Sequence, residues 1–149
     1  MSIKEKLYQE CVFYVEKREQ TIQEIINSNK KALLSETKSS AGDKHETGRA
    51  MLQLEMEKAS QQIAVVHQMK ETLAKVDTAN SHDLVRLGSV IITEKINYFI
   101  AISLGKTTID NKDYFIISSS SPIGKMFLGK KEGDKVVFNG NSITIQSIL

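Results

Sequence analysis

The sequence predicts an α+β protein in which an N-terminal antiparallel helical hairpin precedes a small β-rich domain. Three observations lead to this prediction. Apolar residues in the first half recur at alternating steps of four and three, the spacing of a coiled-coil seam. Residues 78–83 are almost entirely polar, and beyond them the apolar period falls to two. Near the end, Asn139-Gly140 is a strong signal for a tight β-hairpin turn.

Two long helices are predicted in the first half, over residues 3–34 and 49–76. Polar Arg18 and Asn29 interrupt the seam of the first helix. Both helices follow the same spacing, so each can bury its apolar seam against the other when they pair antiparallel. The positions expected to be buried between them are Ile22, Ile25, Ile63 and Val66.

Short strands and one short helix are predicted in the second half. Apolar and other side chains alternate from Ile96 to Ile102, as in a strand. A capping hydroxyl and a proline at Ser121-Pro122 predict the start of the helix, and Gly129 predicts its end. The other strands are expected at 88–93, 114–118, 135–138 and 142–148. The helix is expected to pack Ile123, Phe127 and Leu128 onto the strands.

The composition divides the chain into a hairpin of residues 1–77 with an acidic tip at 39–48, a linker at 78–83 and a C-terminal domain at 84–149. A net charge of +2 gives no basis for tight, non-specific binding to nucleic acid. The single cysteine, Cys11, cannot form an intramolecular disulfide, which favours a reducing compartment. No apolar run approaches the roughly 20 residues that span a bilayer. We therefore expect a monomer in the cytoplasm with no membrane contact.

The catalytic motifs in the sequence are incomplete. Gly105-Lys106-Thr107 is similar to the end of a phosphate-binding loop, but Ile100 stands where the first glycine is required. The three histidines have no spacing that suits a metal site, and Cys11 fits a small core residue. We expect no complete active site and no cofactor of the protein's own.

The predicted hairpin tip contains two acidic residues, Asp43 and Glu46, three positions apart. This spacing ahead of a helix is typical of a capping box, in which both side chains bind free backbone N–H groups. The same carboxylates at the end of a long hairpin could instead supply oxygen ligands for Mg²⁺ in a site on another protein. Both roles remain open from the spacing alone.

A tip reading Gly-Asp-x-x-Glu, a second long helix and a C-terminal segment from Ser121-Pro122-Ile123-Gly124 to Gly133-Asp134 together resemble the Gre family of bacterial transcript-cleavage factors. The resemblance extends over nearly the whole chain. It implies an FKBP-like fold for the C-terminal domain and a hairpin that enters the secondary channel of RNA polymerase. It also implies a docking surface on the C-terminal domain, formed by Ser121, Pro122, Ile123, Gly124, Lys125, Gly129 and Lys130.

By the same resemblance, Asp43 and Glu46 match the tip acids that help the polymerase hold a shared Mg²⁺ while it cleaves the 3′ end of backtracked nascent RNA. The factor would thus stimulate the polymerase's nuclease activity without being an enzyme itself. After the second acid, however, the family pattern Asn-Ala-Glu-Tyr is replaced by residues 47–50, Thr-Gly-Arg-Ala. Two alternatives therefore stay open: a channel-binding regulator without cleavage activity, and a coiled-coil protein-interaction module.

Overall fold

A computed structural model describes the backbone of residues 1–38 and 42–149 and the side chains of residues 1–35 and 47–149. Two long helices come first, α1 (Ile3–Lys38) and α2 (Gly42–Ala74). The rest of the chain contains the short helix α3 (Pro122–Phe127) and seven strands. The strands are β1 (Val90–Ile92), β2 (Asn97–Ala101), β3 (Gly105–Ile109), β4 (Lys112–Ser118), β5 (Lys135–Phe138), β6 (Asn141–Thr144) and β7 (Ser147–Ile148). The predicted class, a helical hairpin followed by a β-rich domain, is confirmed.

The packing of the described residues divides them into two compact units. One unit contains Met1–Tyr14 and Glu71–Leu149, and the other contains Val15–Lys70. The first unit thus includes both outer helix ends along with the strands, and Lys4 Nζ donates a hydrogen bond to the Asn80 carbonyl at 2.7 Å. The linker predicted at 78–83 marks a change in composition. That residues 84–149 fold on their own stays a prediction.

The two long helices pair in antiparallel directions, as predicted. Within the second unit, Glu19 of α1 forms an ion pair of 2.6 Å with Lys70, near the end of α2. Within the first unit, the Tyr8 hydroxyl donates to the Leu73 carbonyl at 3.2 Å. Both helices extend further toward the connection between them than predicted, since α1 ends at Lys38 and α2 begins at Gly42. No proline lies in either extension, so the backbone can remain helical. At its other end, α2 stops at Ala74, two residues before the predicted end. In the described residues, no helix is long and apolar enough to cross a membrane.

The buried positions of the helices confirm most of the predicted seam and correct one residue. Ile22 is 4% exposed and Val66 is fully buried, and Ile63 is half-buried. Ile25, however, is 42% exposed, and its place is taken by half-buried Ile26. The buried and half-buried positions of α1 recur every eleven residues. Eleven residues in three turns give about 3.67 residues per turn, close to the 3.6 of an α-helix. The step from Ile22 is therefore four, which reaches Ile26.

The correction at Ile25 gives a paired test in one helix. Replacing Ile22 by alanine should cost about 2–5 kcal/mol, because a buried isoleucine loses its contacts and leaves a cavity. Ile25→Ala should change stability by no more than about 0.5 kcal/mol, as expected for an exposed position. Urea unfolding followed by helical circular dichroism measures both values. Equal losses for the two variants would restore Ile25 to the seam.

The strands form a five-stranded sheet in the order β3-β4-β2-β1-β7 and a separate β5-β6 hairpin. Strand β2 lies at the centre, parallel to β4 and antiparallel to β1. The turn of the β5-β6 hairpin is at Asn139-Gly140, where both φ angles are positive, as the sequence predicts.

Strand β3 was not predicted, because it contains glycine, lysine and two threonines but only one apolar residue. It pairs with β4 through a turn at Asp110-Asn111, where both φ angles are also positive, 52° and 64°. Aspartate and asparagine tolerate this backbone region better than most residues. That dipeptide is the signal that could have identified the hairpin.

The centre of the sheet, at β2, is buried on both faces. Ile100 and Phe127 belong to a fully buried cluster on one face, to which Ile123 adds a partly buried side chain. Phe99 comes directly before Ile100 in β2, so its side chain points to the opposite face, where it is also fully buried. The prediction that Leu128 packs on the strands is wrong: it is 39% exposed, since the chain leaves helical geometry at this residue.

Candidate partner-binding surface

Helix α3 begins as the sequence predicts, with a side-chain cap followed by a proline. The Ser121 hydroxyl accepts a hydrogen bond from Gly124 N at 3.1 Å, which satisfies one of the free N–H groups of the first turn. Pro122 occupies the first turn, where it has no N–H to leave unpaired. The Ser121 hydroxyl also donates to the Ser118 carbonyl at 2.6 Å, which joins the helix to the end of β4.

Gly124 is required because the backbone of β4 passes directly beside it. A Cβ atom at this position would lie 2.1 Å from the Ser118 carbonyl oxygen and 2.8 Å from Ser121 Oγ. No side chain fits in that space, and Gly124 is buried. Ser121 and Gly124 thus position the helix. The Ser121 hydroxyl is occupied by its two hydrogen bonds, and Gly124 is buried, so neither is available to a partner.

The segment after α3 is held by backbone hydrogen bonds to the strand-like residues that precede β1. Gly129, at φ 79°, donates to the Val85 carbonyl at 2.9 Å, and Val85 donates to the Lys130 carbonyl at 2.8 Å. The Asp134 carboxylate then accepts from Lys131 N at 2.9 Å, which closes the following turn. Gly129 and Asp134 therefore keep α3 and the lysines after it in one fixed arrangement.

The predicted docking residues are contiguous in the structure, but they differ in exposure. Pro122, Lys125, Gly129 and Lys130 are exposed, Ser121 and Ile123 are half-buried, and Gly124 is buried. Two exposed neighbours were not predicted as docking residues, Leu128 and Lys131. The surface that a partner can contact, which we call the α3 surface, consists of Pro122, Lys125, Leu128, Gly129, Lys130 and Lys131.

The α3 surface is locally basic. Among the described residues, none of Lys125, Lys130 and Lys131 lies within ion-pair distance of a carboxylate. Other lysines do form ion pairs: Lys6 of α1 contacts Asp110 at 2.8 Å, and Lys106 of β3 lies 3.4 Å from Asp113. Unpaired ammonium groups beside exposed Leu128 suit a partner surface that is acidic around an apolar contact.

The base of α3 is fixed by aromatic packing. The rings of Phe127 and Tyr98 have centroids 4.9 Å apart and are tilted by 49°. Phe127 is fully buried, so the helix cannot rock on the sheet without opening the core. The α3 surface is therefore a rigid platform.

The predicted tip acids fall outside this description. Asp43 and Glu46 lie within the range of α2, but their side chains are outside the described residues. Among the side chains that are described, no three acidic, histidine or cysteine residues are grouped so as to hold a metal ion. The capping box predicted from the spacing is wrong in its position, because α2 begins at Gly42 and Asp43 therefore lies inside the helix and not at its N-cap. The predicted role of Asp43 and Glu46 as metal ligands stays a prediction.

Cys11 is a buried seam residue. Burial raises the pKa of its thiol to about 12, with a smaller contribution from nearby Glu10. The thiol is therefore protonated at neutral pH, whereas a nucleophilic cysteine needs a lowered pKa. This agrees with the prediction that Cys11 is a core residue.

Comparison with known proteins gives a structural likeness and no sequence match. No protein-family profile matches the chain, and no curated protein matches its sequence. The crystal structure of the GreA factor homolog 1 (Gfh1) protein of Thermus thermophilus is similar over 95% of this chain and 94% of that one, at 17% identity and a TM-score of 0.36. A TM-score this low supports no inference about function.

Proposed function

We propose that this protein is a transcription elongation factor of the Gre type, which binds RNA polymerase through its secondary channel and stimulates cleavage of backtracked RNA. One observation carries the proposal, the combination of an antiparallel helical hairpin with a β domain in which Ser121–Asp134 builds a capped helix and a closed turn. In the motif that resembles the Gre pattern, Ser121, Gly124, Gly129 and Asp134 thus each have a structural role. As part of this proposal, the protein works in the cytoplasm, with the polymerase.

The hairpin suits delivery of a small group of ligands into a narrow site. Helices α1 and α2 are 36 and 33 residues long and are joined through residues 39–41 only. At 1.5 Å per residue, each helix is about 50 Å long. Asp43 and Glu46 follow this connection directly in sequence. Carboxylates so placed could reach a site that a globular domain could not enter.

Carboxylate oxygens are the ligands that Mg²⁺ prefers, and here only two of them are offered. Two acids leave most of the coordination shell to be supplied by the polymerase and the 3′ end of the nascent RNA. The bound ion would supply charge stabilisation to the attacking and leaving oxygens of phosphodiester cleavage. The protein is thus proposed as a donor of ligands, with no cofactor and no catalysis of its own.

The proposal is tested by removing charge from the tip while keeping side-chain shape. Asp43→Asn and Glu46→Gln should each reduce Mg²⁺-dependent RNA cleavage in a stalled, backtracked complex by about tenfold or more, because a neutral amide is a poor ligand for Mg²⁺. Both variants should retain wild-type helix content, since asparagine and glutamine have helix propensities close to those of aspartate and glutamate. Cleavage is measured on 3′-end RNA fragments, and binding by recovery of core polymerase.

Three outcomes separate the candidate roles. If wild type stimulates cleavage and both variants match it, the tip acids are structural. If wild type binds polymerase without stimulating cleavage, the protein is a channel-binding regulator, which the Thr47-Gly48-Arg49-Ala50 departure favours. If no polymerase is recovered at low salt, both transcription hypotheses fail and a coiled-coil interaction module remains.

The α3 surface gives an independent test of docking. Lys125→Glu should weaken polymerase binding several-fold at low salt, because it reverses a charge on the surface that we expect to meet an acidic partner. Lys112→Glu, at the exposed start of β4, makes the same change in net charge elsewhere. Binding assays across a salt series should show the loss for Lys125→Glu alone, and should show it shrinking as salt is raised. Equal losses would mean that only total charge matters.

A further inference from the structure

Strand β6 has one edge with unpaired backbone groups. It pairs only with β5. Just beyond the paired strands, Ile145 N donates to the Asp134 carbonyl at 2.9 Å, so Ile145 is a position whose backbone groups face β5. Alternation along an antiparallel pair then turns the N–H and C=O groups of Ser142 and Thr144 away from β5. In the described part of the chain, no hydrogen bond to these four groups is found. The edge therefore offers two donors and two acceptors in extended spacing.

A cavity of about 220 Å³ lies beside this edge. Ile96, Tyr98, Phe138 and Ile143, all half-buried, contribute its apolar lining, and the loop between β1 and β2 forms the opposite side. Pockets for drug-sized ligands are usually about 300–1,000 Å³, so this one is small for them. It is of a size to receive one apolar side chain.

Tyr98 supplies a polar group at the cavity. Its hydroxyl has no hydrogen-bond partner among the described residues, although the residue is half-buried. Burial raises the pKa of Tyr98, so the hydroxyl stays protonated and can donate as well as accept. A ligand with carbonyl groups near the cavity would satisfy it.

Two of the strand edges of the β domain, those of β3 and β6, differ in charge. The edge strand β3 carries Lys106, which is 3.4 Å from Asp113 on β4. Charged side chains on an edge are a common protection against pairing with another chain. Strand β6, Asn141–Thr144, contains no charged residue. The β6 edge thus lacks the protection that the β3 edge has.

We propose that the β6 edge and the adjoining cavity bind an extended peptide segment of a partner protein by strand addition, with one apolar side chain in the cavity. Backbone groups at Ser142 and Thr144 select an extended chain, and the cavity selects the side chain between them. Glu94 and Lys95 on the opposite side of the cavity cancel in charge, so the segment is uncharged there. This site is separate from the α3 surface, and the inference does not depend on the proposed polymerase function.

The test uses the full-length ¹⁵N-labelled protein and a capped heptapeptide of alternating threonine and valine with a central leucine. Titration to about 2 mM peptide, a range that detects weak binding, should shift the amide resonances of Ser142 and Thr144. Ser142→Pro should weaken binding about tenfold or more, because proline removes an outward N–H that the hairpin does not use. Ser142→Ala keeps that N–H and should bind within about twofold of wild type.

Two controls keep the result interpretable. Slow hydrogen exchange at Ile145 N in Ser142→Pro shows that the hairpin is intact, and a peptide with glycine in place of leucine should bind wild type more weakly. The proposal is overturned if wild type shows no shifts at Ser142 and Thr144, or if an intact Ser142→Pro variant binds equally well. It is also overturned if these amides are protected in a concentration-dependent dimer, since a second copy of the chain then occupies the edge.

Discussion

Phe127→Ala is expected to destabilise the β domain by about 3–5 kcal/mol, the usual cost of truncating a fully buried aromatic residue. The substitution removes the ring packed on Tyr98, at a centroid distance of 4.9 Å, and leaves a cavity where α3 meets the sheet. Native-state hydrogen exchange of the β2 amides measures the loss, since these amides open only when the core opens.

Leu128→Ala is the matched control for this prediction. Leu128 is the next residue and is 39% exposed, so its truncation should change the same exchange rates only slightly. An assay of the proposed polymerase binding distinguishes the two residues further, because Leu128 lies on the α3 surface and Phe127 lies beneath it. Unchanged exchange in Phe127→Ala, with binding lost, would make Phe127 a docking residue and contradict its burial.

Gly124→Ala is expected to cost about 3 kcal/mol or more, although alanine is ordinarily the better helix former. The added methyl group would lie 2.1 Å from the Ser118 carbonyl oxygen, and a backbone atom cannot move aside as a flexible side chain can. The helix must therefore shift away from β4 and lose the hydrogen bond between Gly124 N and the Ser121 hydroxyl.

Lys125→Ala serves as the control in the same helix, because Lys125 is exposed and its truncation adds no contact. Thermal unfolding of both variants should show a large loss for Gly124→Ala and little change for Lys125→Ala. A Gly124→Ala variant as stable as wild type would mean that β4 and α3 can separate without cost. The rigid α3 surface would then have to be abandoned.

The long helices and the capped helix α3 could be predicted because local patterns determine them. Ser121, Pro122 and Gly129 each act within one helical turn of their own position, so their effect depends little on the rest of the fold. The turn at Asn139-Gly140 is local in the same sense. Ile25 was assigned wrongly because a spacing of three or four fits either isoleucine, and only the helix it packs against selects one.

The candidate docking residues could be identified from the sequence, but their roles could not. Gly124 was expected to be part of the docking surface and is instead buried beneath it, whereas exposed Leu128 was expected to lie in the core. Lys131 follows Lys130 in sequence, and only its exposure adds it to the α3 surface. Exposure depends on which segments lie above a residue, and a motif does not contain that information.

Residue patterns along the chain were enough to predict the two long helices, the cap of α3 and the turn at Asn139-Gly140, because these depend on residues close in sequence. The antiparallel pairing of the helices was predicted from their matching apolar spacing, and contacts such as Tyr8 with Leu73 confirm it. The tertiary structure alone decided the strand order, with β2 parallel to β4, and the unpaired edge of β6 beside its cavity. Strand β3 was identified only in the tertiary structure, because its pairing with β4 compensates for a sequence that has little preference for a strand. Contacts between distant segments set these features, and residue spacing along the chain does not encode which segments meet.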